Sequence, residues 1–179
     1  MIEMKNNIKK VLSLILIGAA LVLAFTACAK ETSDKVYKSG GIEFTLPKSM
    51  RQNGAVTAYD YYFDNLDSSV IFTATKIDSE ILEANNLEKN STLREYVDAR
   101  IKDMDASQIY LKYDEERKAY SYRYNYLFEN ASSEAFVYVV VIGEGANMWH
   151  IEMYCEYESS ADMLPAFELW ASSIRTYNE

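Results

Sequence analysis

Histidine occurs once, cysteine twice, proline twice and glycine six times in 179 residues. One histidine excludes a multi-histidine metal centre and leaves a Ser-His-Asp triad a single candidate base. Two cysteines exclude a disulfide framework and a four-cysteine zinc site. So little glycine and proline excludes collagen-like and proline-rich low-complexity chains. Basic residues are also short: 18 face 27 acidic ones, a net charge of −9, which argues against a nucleic-acid partner. HExxH, GxSxG, P-loop and GxGxxG motifs are all missing, so no cofactor is expected. What remains is 49% apolar and 25% charged, the composition of a globular protein.

A long apolar run is found in one place. Val11 to Phe25, broken by Ser13 and Gly18, follows Lys5, Lys9 and Lys10. Its fifteen residues span roughly 22 Å as a helix, short of a hydrocarbon core of about 30 Å. A secretory signal peptide fits better than a transmembrane helix. The next residues, Phe25-Thr26-Ala27-Cys28, resemble the lipobox of bacterial lipoproteins. That resemblance implies cleavage before Cys28 and acylation of its sulfur with diacylglycerol. The mature chain would then be held on the extracytoplasmic face of the cell membrane. Each buried methylene contributes about 0.8 kcal/mol, so two long chains hold almost permanently. The expected organisation is a signal peptide over 1–27, a polar tether over 28–35 and a single domain over 36–179. Beyond residue 27 the chain keeps 15 basic against 26 acidic residues, a net −11. Such a domain stands off an anionic membrane surface, disfavours polyanions and leaves cations, metal ions and basic partners open.

Within the domain, alternation and turn residues predict strands. Val36–Lys38 and Ile42–Leu46 flank Ser39-Gly40-Gly41 as a hairpin. Further strands are expected over 55–63, 69–77, 108–114, 119–128, 134–142 and 148–157, joined by short antiparallel links. Thr92-x-x-Glu95 reads as a capping box opening a helix whose apolar positions are Leu93, Tyr96, Val97, Ile101 and Met104. A last helix is expected over 162–174, with Met163, Phe167, Trp170, Ala171 and Ile174 facing the core and Pro165 in its first turn.

This order is similar to the PsbP-like fold: a strand ending in Leu46-Pro47, two Tyr- and Val-rich strands, a helix, a meander, and a closing helix with Phe167 and Ile174. The family includes the photosystem protein PsbP, a Ran-binding nuclear import factor and bacterial envelope lipoproteins. The resemblance implies an α+β class, an antiparallel sheet of about six to seven strands flanked by two helices in an α/β/α sandwich. It carries no shared catalytic residue, and it implies a domain that binds without catalysing.

Two sets of residues stand out as candidate sites. Tyr120, Tyr122, Tyr124 and Tyr126 share one face of a strand. They make either an aromatic platform for a partner or ligand, or a helix-covered sheet face with hydroxyls at its rim. On the last long strand Trp149, Ile151, Met153, Cys155 and Tyr157 read as core, with Cys155 a buried, inert thiol. His150, Glu152, Tyr154 and Glu156 fall on the other face. His150 and Glu152 could hold a cation with a neighbouring carboxylate such as Glu134, or simply form a solvated polar face. The expectation is therefore a non-enzymatic binding module on a membrane through acylated Cys28. Its partner would be an unidentified protein or small ligand. The alternative is a carrier or chaperone for a small ligand or cation in a sheet–helix cleft.

Overall fold

The computed structural model describes residues 34–67, 69–102, 104, 109–127 and 134–178. The signal peptide, the lipobox and most of the expected tether lie outside them. The first element is the expected hairpin: β1 (Asp34–Ser39) pairs antiparallel with β2 (Ile42–Pro47) from Asp34↔Pro47 to Ser39↔Ile42. A two-residue link that matches strand twist needs left-handed backbone at both positions. Gly40 and Gly41 supply it at φ 64° and 88°. The strand takes in Asp34 and Lys35 as well.

Eight further strands follow: β3 (Arg51–Gln52), β4 (Tyr61–Asp64), β5 (Val70–Lys76), β6 (Lys112–Asp114), β7 (Ala119–Leu127), β8 (Glu134–Glu144), β9 (Asn147–Glu156) and β10 (Arg175–Thr176). Seven form one antiparallel sheet in the order β3-β4-β5-β9-β8-β7-β6, and β1-β2-β10 form a second. The expected strand over 55–63 is the main correction. Only its end pairs, because residues 53–60 run as turns and bends, with Ala55 N–H donating to the Asn53 side chain. Of the strand expected over 108–114, Lys112–Asp114 form β6, paired with the first three residues of β7, and residue 108 lies outside the described residues.

Three helices pack on the large sheet. α1 (Ser79–Ala84) escaped the sequence reading, being one turn and a half opened by Asp78, whose carboxylate accepts from Ile81 N–H. α2 (Leu93–Ile101) begins at the expected capping box: Thr92 Oγ1 accepts from Glu95 N–H, and Glu95 Oε2 accepts from Thr92 N–H. α3 (Ser160–Ser173) starts two residues earlier than expected. Pro165 is thus its sixth residue, beyond the first turn, where its missing N–H leaves the carbonyl of exposed Ala161 to water.

Alternation along the strands divides the buried residues into two clusters. One lies between the sheet, the small sheet and α3, and includes Phe44, Phe63, Phe72, Trp149, Ile151, Met153, Phe167 and Trp170. Its rings meet at aromatic geometries, Phe44 and Phe72 at 4.8 Å and Phe44 and Phe63 edge-on at 5.7 Å. The other lies under α1 and α2 and includes Leu82, Tyr96, Val97, Tyr122, Val137, Val139, Val141 and Met148. Among the described residues no helix is long and apolar enough to cross a membrane.

Candidate functional site

The α2 side of the sheet holds the tyrosine row, His150 and Glu152; Glu134 shares the parity of Phe136 and Val140, which face α3, and Cys28 lies outside the described residues. β9 presents His150, Glu152 and Tyr154 in succession. The register sets Thr75, Thr73 and Ile71 beside them on β5, and Val141, Val139 and Val137 on β8. One strand further, Tyr120, Tyr122 and Tyr124 continue the same rows on β7.

His150 and Glu152 do not form a solvated face. His150 is 7% exposed, because α2 lays Tyr96 across it. The Tyr96 hydroxyl lies 2.8 Å from His150 Nδ1, and His150 Nε2 lies 3.2 Å from Glu152 Oε1. The Tyr154 hydroxyl donates to the other carboxylate oxygen. An ionised carboxylate only accepts, so Nε2 carries a hydrogen toward Glu152, and Nδ1 faces the Tyr96 hydroxyl. Burial pushes the Glu152 carboxyl upward. Bonds from His150 and Tyr154 and the nearby Arg100 charge outweigh burial and hold it below the usual carboxylate range.

The tyrosines respond in the opposite sense. Burial, with Glu152 adding to it, raises Tyr96 and Tyr124 to about 12 each. Tyr122 and Tyr154 are raised further, by burial first. At neutral pH all four are hydroxyl donors and poor nucleophiles. Cys155 lies on the opposite face, where burial and then Glu156 push its thiol up to about 11.

The four expected tyrosines divide by depth. Tyr122 is 2% exposed and belongs to the core, Tyr120 and Tyr124 are half-buried, and Tyr126 is 46% exposed. The face is therefore closed by α2 at one end and opens toward the end of β7. Glu134 does not join His150: the residue paired with His150 on β8 is Val141, seven positions away, or roughly 24 Å along a strand. Among the described residues no group of three His, Cys, Asp or Glu is placed to hold a metal ion. Tyr157 leaves the core face because the strand ends at Glu156 and turns into a short 3-10 segment. Tyr61 faces Trp149 on the α3 side, whereas Tyr59 sits against Tyr62, 6.0 Å between centroids.

The reading missed Arg100. It stands one helical turn after Tyr96, and that i, i+4 spacing was the available signal. Arg100 is half-buried, its Nε is shut off from water, and it has no acceptor among the described residues. Burial opposes its charge, but Tyr96, Tyr122, Glu152 and Tyr124 around it sustain that charge. A guanidinium whose Nε is unused, beside an ionised carboxylate and neutral phenols, can recognise an acceptor that a partner inserts against it.

No family model matches the chain, and neither does a curated protein sequence. Solved structures do. The cyanobacterial PsbP (CyanoP) of Synechocystis is 16% identical, over 83% of this chain and 95% of its own, with a TM-score of 0.54. A protein of Bacteroides thetaiotaomicron is 13% identical, over 81% of this chain and 49% of its own, at 0.51. LpqN, involved in cell envelope biogenesis of Mycobacterium tuberculosis, is 9% identical, over 82% and 91%, at 0.45. The first two show the fold: a PsbP-like α+β sandwich, one antiparallel sheet between helices.

Proposed function

We propose that this chain is a lipoprotein anchored through acylated Cys28 on the extracytoplasmic face of a cell membrane, with a PsbP-like domain that binds a partner and catalyses no reaction. The lysines, apolar run and Phe25-Thr26-Ala27-Cys28 support the anchor. The binding role rests on one observation, the Arg100 guanidinium whose buried Nε has no acceptor among the described residues, at the closed end of a tyrosine face that opens at Tyr126. A partner strand or loop would bring a carbonyl or carboxylate to Arg100 and lay apolar surface on Tyr124 and Tyr126. The absence of catalysis is supported by the company of His150, two hydroxyls and a carboxylate locked in mutual hydrogen bonds, with no activated nucleophile in reach among the described residues.

Two measurements test this. Cys28→Ser should move the protein from the membrane to the soluble fraction, and persistence in the membrane would refute the anchor. A photo-crosslinking residue at Tyr126 should capture a discrete adduct in intact cells that one at exposed Leu66 does not. Arg100→Met should abolish the adduct, and an adduct indifferent to Arg100 would sink the binding face. A second reading, a carrier for a small ligand, is favoured by a cavity of about 360 Å³ between sheet and α3.

A further inference from the structure

That cavity lies between β6–β7 and α3, on the face of the sheet away from Arg100. Its size falls in the range of small-molecule sites. The charges around it are sorted by wall. Lys112 and Asp114 on β6 and Arg123 on β7 line the sheet side, with Arg117 in the turn between those strands, and Glu168 lines the helix side. Arg117 is engaged through its terminal nitrogens, while its buried Nε has no partner among the described residues. Its Nη2 donates to the Ala171 and Ile174 carbonyls at the end of α3, and its Nη1 lies 3.8 Å from Asp114. Lys112, Arg123 and Glu168 have no ion-pair partner within 4 Å among the described residues.

Two cations on one wall and a carboxylate on the other thus remain unneutralised. Arg123 is held in place, its guanidinium 5.1 Å from the Tyr110 ring centre. The half-buried Tyr138 phenol feels both signs: burial raises its pKa, a hydrogen bond with Ser121 lowers it, and then Glu168 raises it while Arg117 and Arg123 lower it. Small apolar side chains, Ala119, Val140 and Ala171, line the cavity between the charges. A simple anion would leave Glu168 repelling it, and a simple cation would meet Lys112 and Arg123. A molecule bearing both charges meets Lys112, Arg123 and Glu168 together.

We propose that this cavity binds a small zwitterion, an α-amino acid with an apolar side chain, its carboxylate at Lys112 and Arg123 and its ammonium at Glu168. The proposal rests on the carrier reading and sharpens it to a ligand class.

The test is calorimetry on the full chain in detergent with three amino acids: glycine, L-leucine and L-phenylalanine. 4-Methylpentanoate and isopentylamine serve as the two half-charged counterparts of leucine. At least one amino acid should bind, and leucine should bind roughly tenfold more tightly than either counterpart. Arg123→Gln should erase the advantage over the amine, and Glu168→Gln the advantage over the acid. Both positions are solvent-reaching, and circular dichroism checks that each variant is folded. If 4-methylpentanoate matches leucine, or Glu168→Gln changes nothing, the zwitterion is wrong and the cavity carries another class of ligand. If none of the five probes binds, the carrier reading falls with it.

Discussion

The two faces of the large sheet are made by the same strands and follow different chemistry. On the α3 side β9 contributes Trp149, Ile151 and Met153 to a cluster of Phe44, Phe63, Phe72 and Phe167. On the α2 side it contributes His150, Glu152 and Tyr154, buried nearly as well but joined by hydrogen bonds. The first face is held by area and fit, so its weakness is an unfilled volume. The second is held by satisfied polar atoms, so its weakness is any atom left without a partner. Each face also holds one arginine whose buried Nε has no partner among the described residues, Arg117 on the first and Arg100 on the second, and only Arg100 stands beside an ionised carboxylate in a hydrogen-bonded row.

Substitutions can break this comparison, beginning where the effect is greatest. Phe167→Ala should cost about 3–5 kcal/mol in urea unfolding, because the side chain is 0% exposed and stacks on Phe136. Tyr122→Ala should cost nearly as much although it lies on the polar face. A loss under about 1 kcal/mol there would show that α2 does not seal that end.

Glu152→Gln should cost about 1–3 kcal/mol at neutral pH, and its signature is the pH dependence. The folded carboxyl ionises below its ordinary 4.5, so the unfolded chain takes up the proton first as pH falls. The contribution is therefore complete above about pH 4.5 and fades as pH drops through the folded value. The gap between wild type and variant should narrow from about pH 7 to about pH 3.5, and a constant gap would remove the hydrogen-bonded carboxylate from the account. Thr92→Ala removes the cap of α2 and should cost about 1 kcal/mol. Smallest of all, Tyr126→Ala should change stability by less than about 0.5 kcal/mol while weakening crosslinking of a partner. Cys155 offers a control on the apolar face: its thiol should resist Ellman's reagent in the folded protein and react once urea unfolds it.

Much of this was legible in the residues. The capping box at Thr92 and Glu95, the Gly40-Gly41 turn and the period of two along β9 are local signals, and they survived folding because nothing distant competes with them. The burial of His150 was not legible, since alternation tells which residues share a face and says nothing about what covers it. Only α2 docking through Tyr96 decides that. The same gap hid the separation of Glu134 from His150, which depends on the β8–β9 register, and the division of the tyrosine row into core and rim. Residues 55–60 have good strand composition and still stay out of the sheet; at their start the Asn53 side chain accepts from the backbone of Ala55 and turns the chain. The charged cavity escaped notice because Lys112, Arg123 and Glu168 are far apart in the chain and ordinary one at a time.

β1 borders a single neighbour, and its side chains are nearly all exposed, with Tyr37 the inward exception. A pull arriving at Asp34 would meet an antiparallel ribbon from its open end and peel six residue pairs one after another. Such unzipping needs little force at any instant and yields roughly 20 Å of slack. The peel would stop at Gly41, whose carbonyl is gripped by Asn147 and by the Tyr177 N–H. Pulled from that end the domain would lengthen before the large sheet is touched, at the cost of lifting Tyr37 off Phe44 and Phe63.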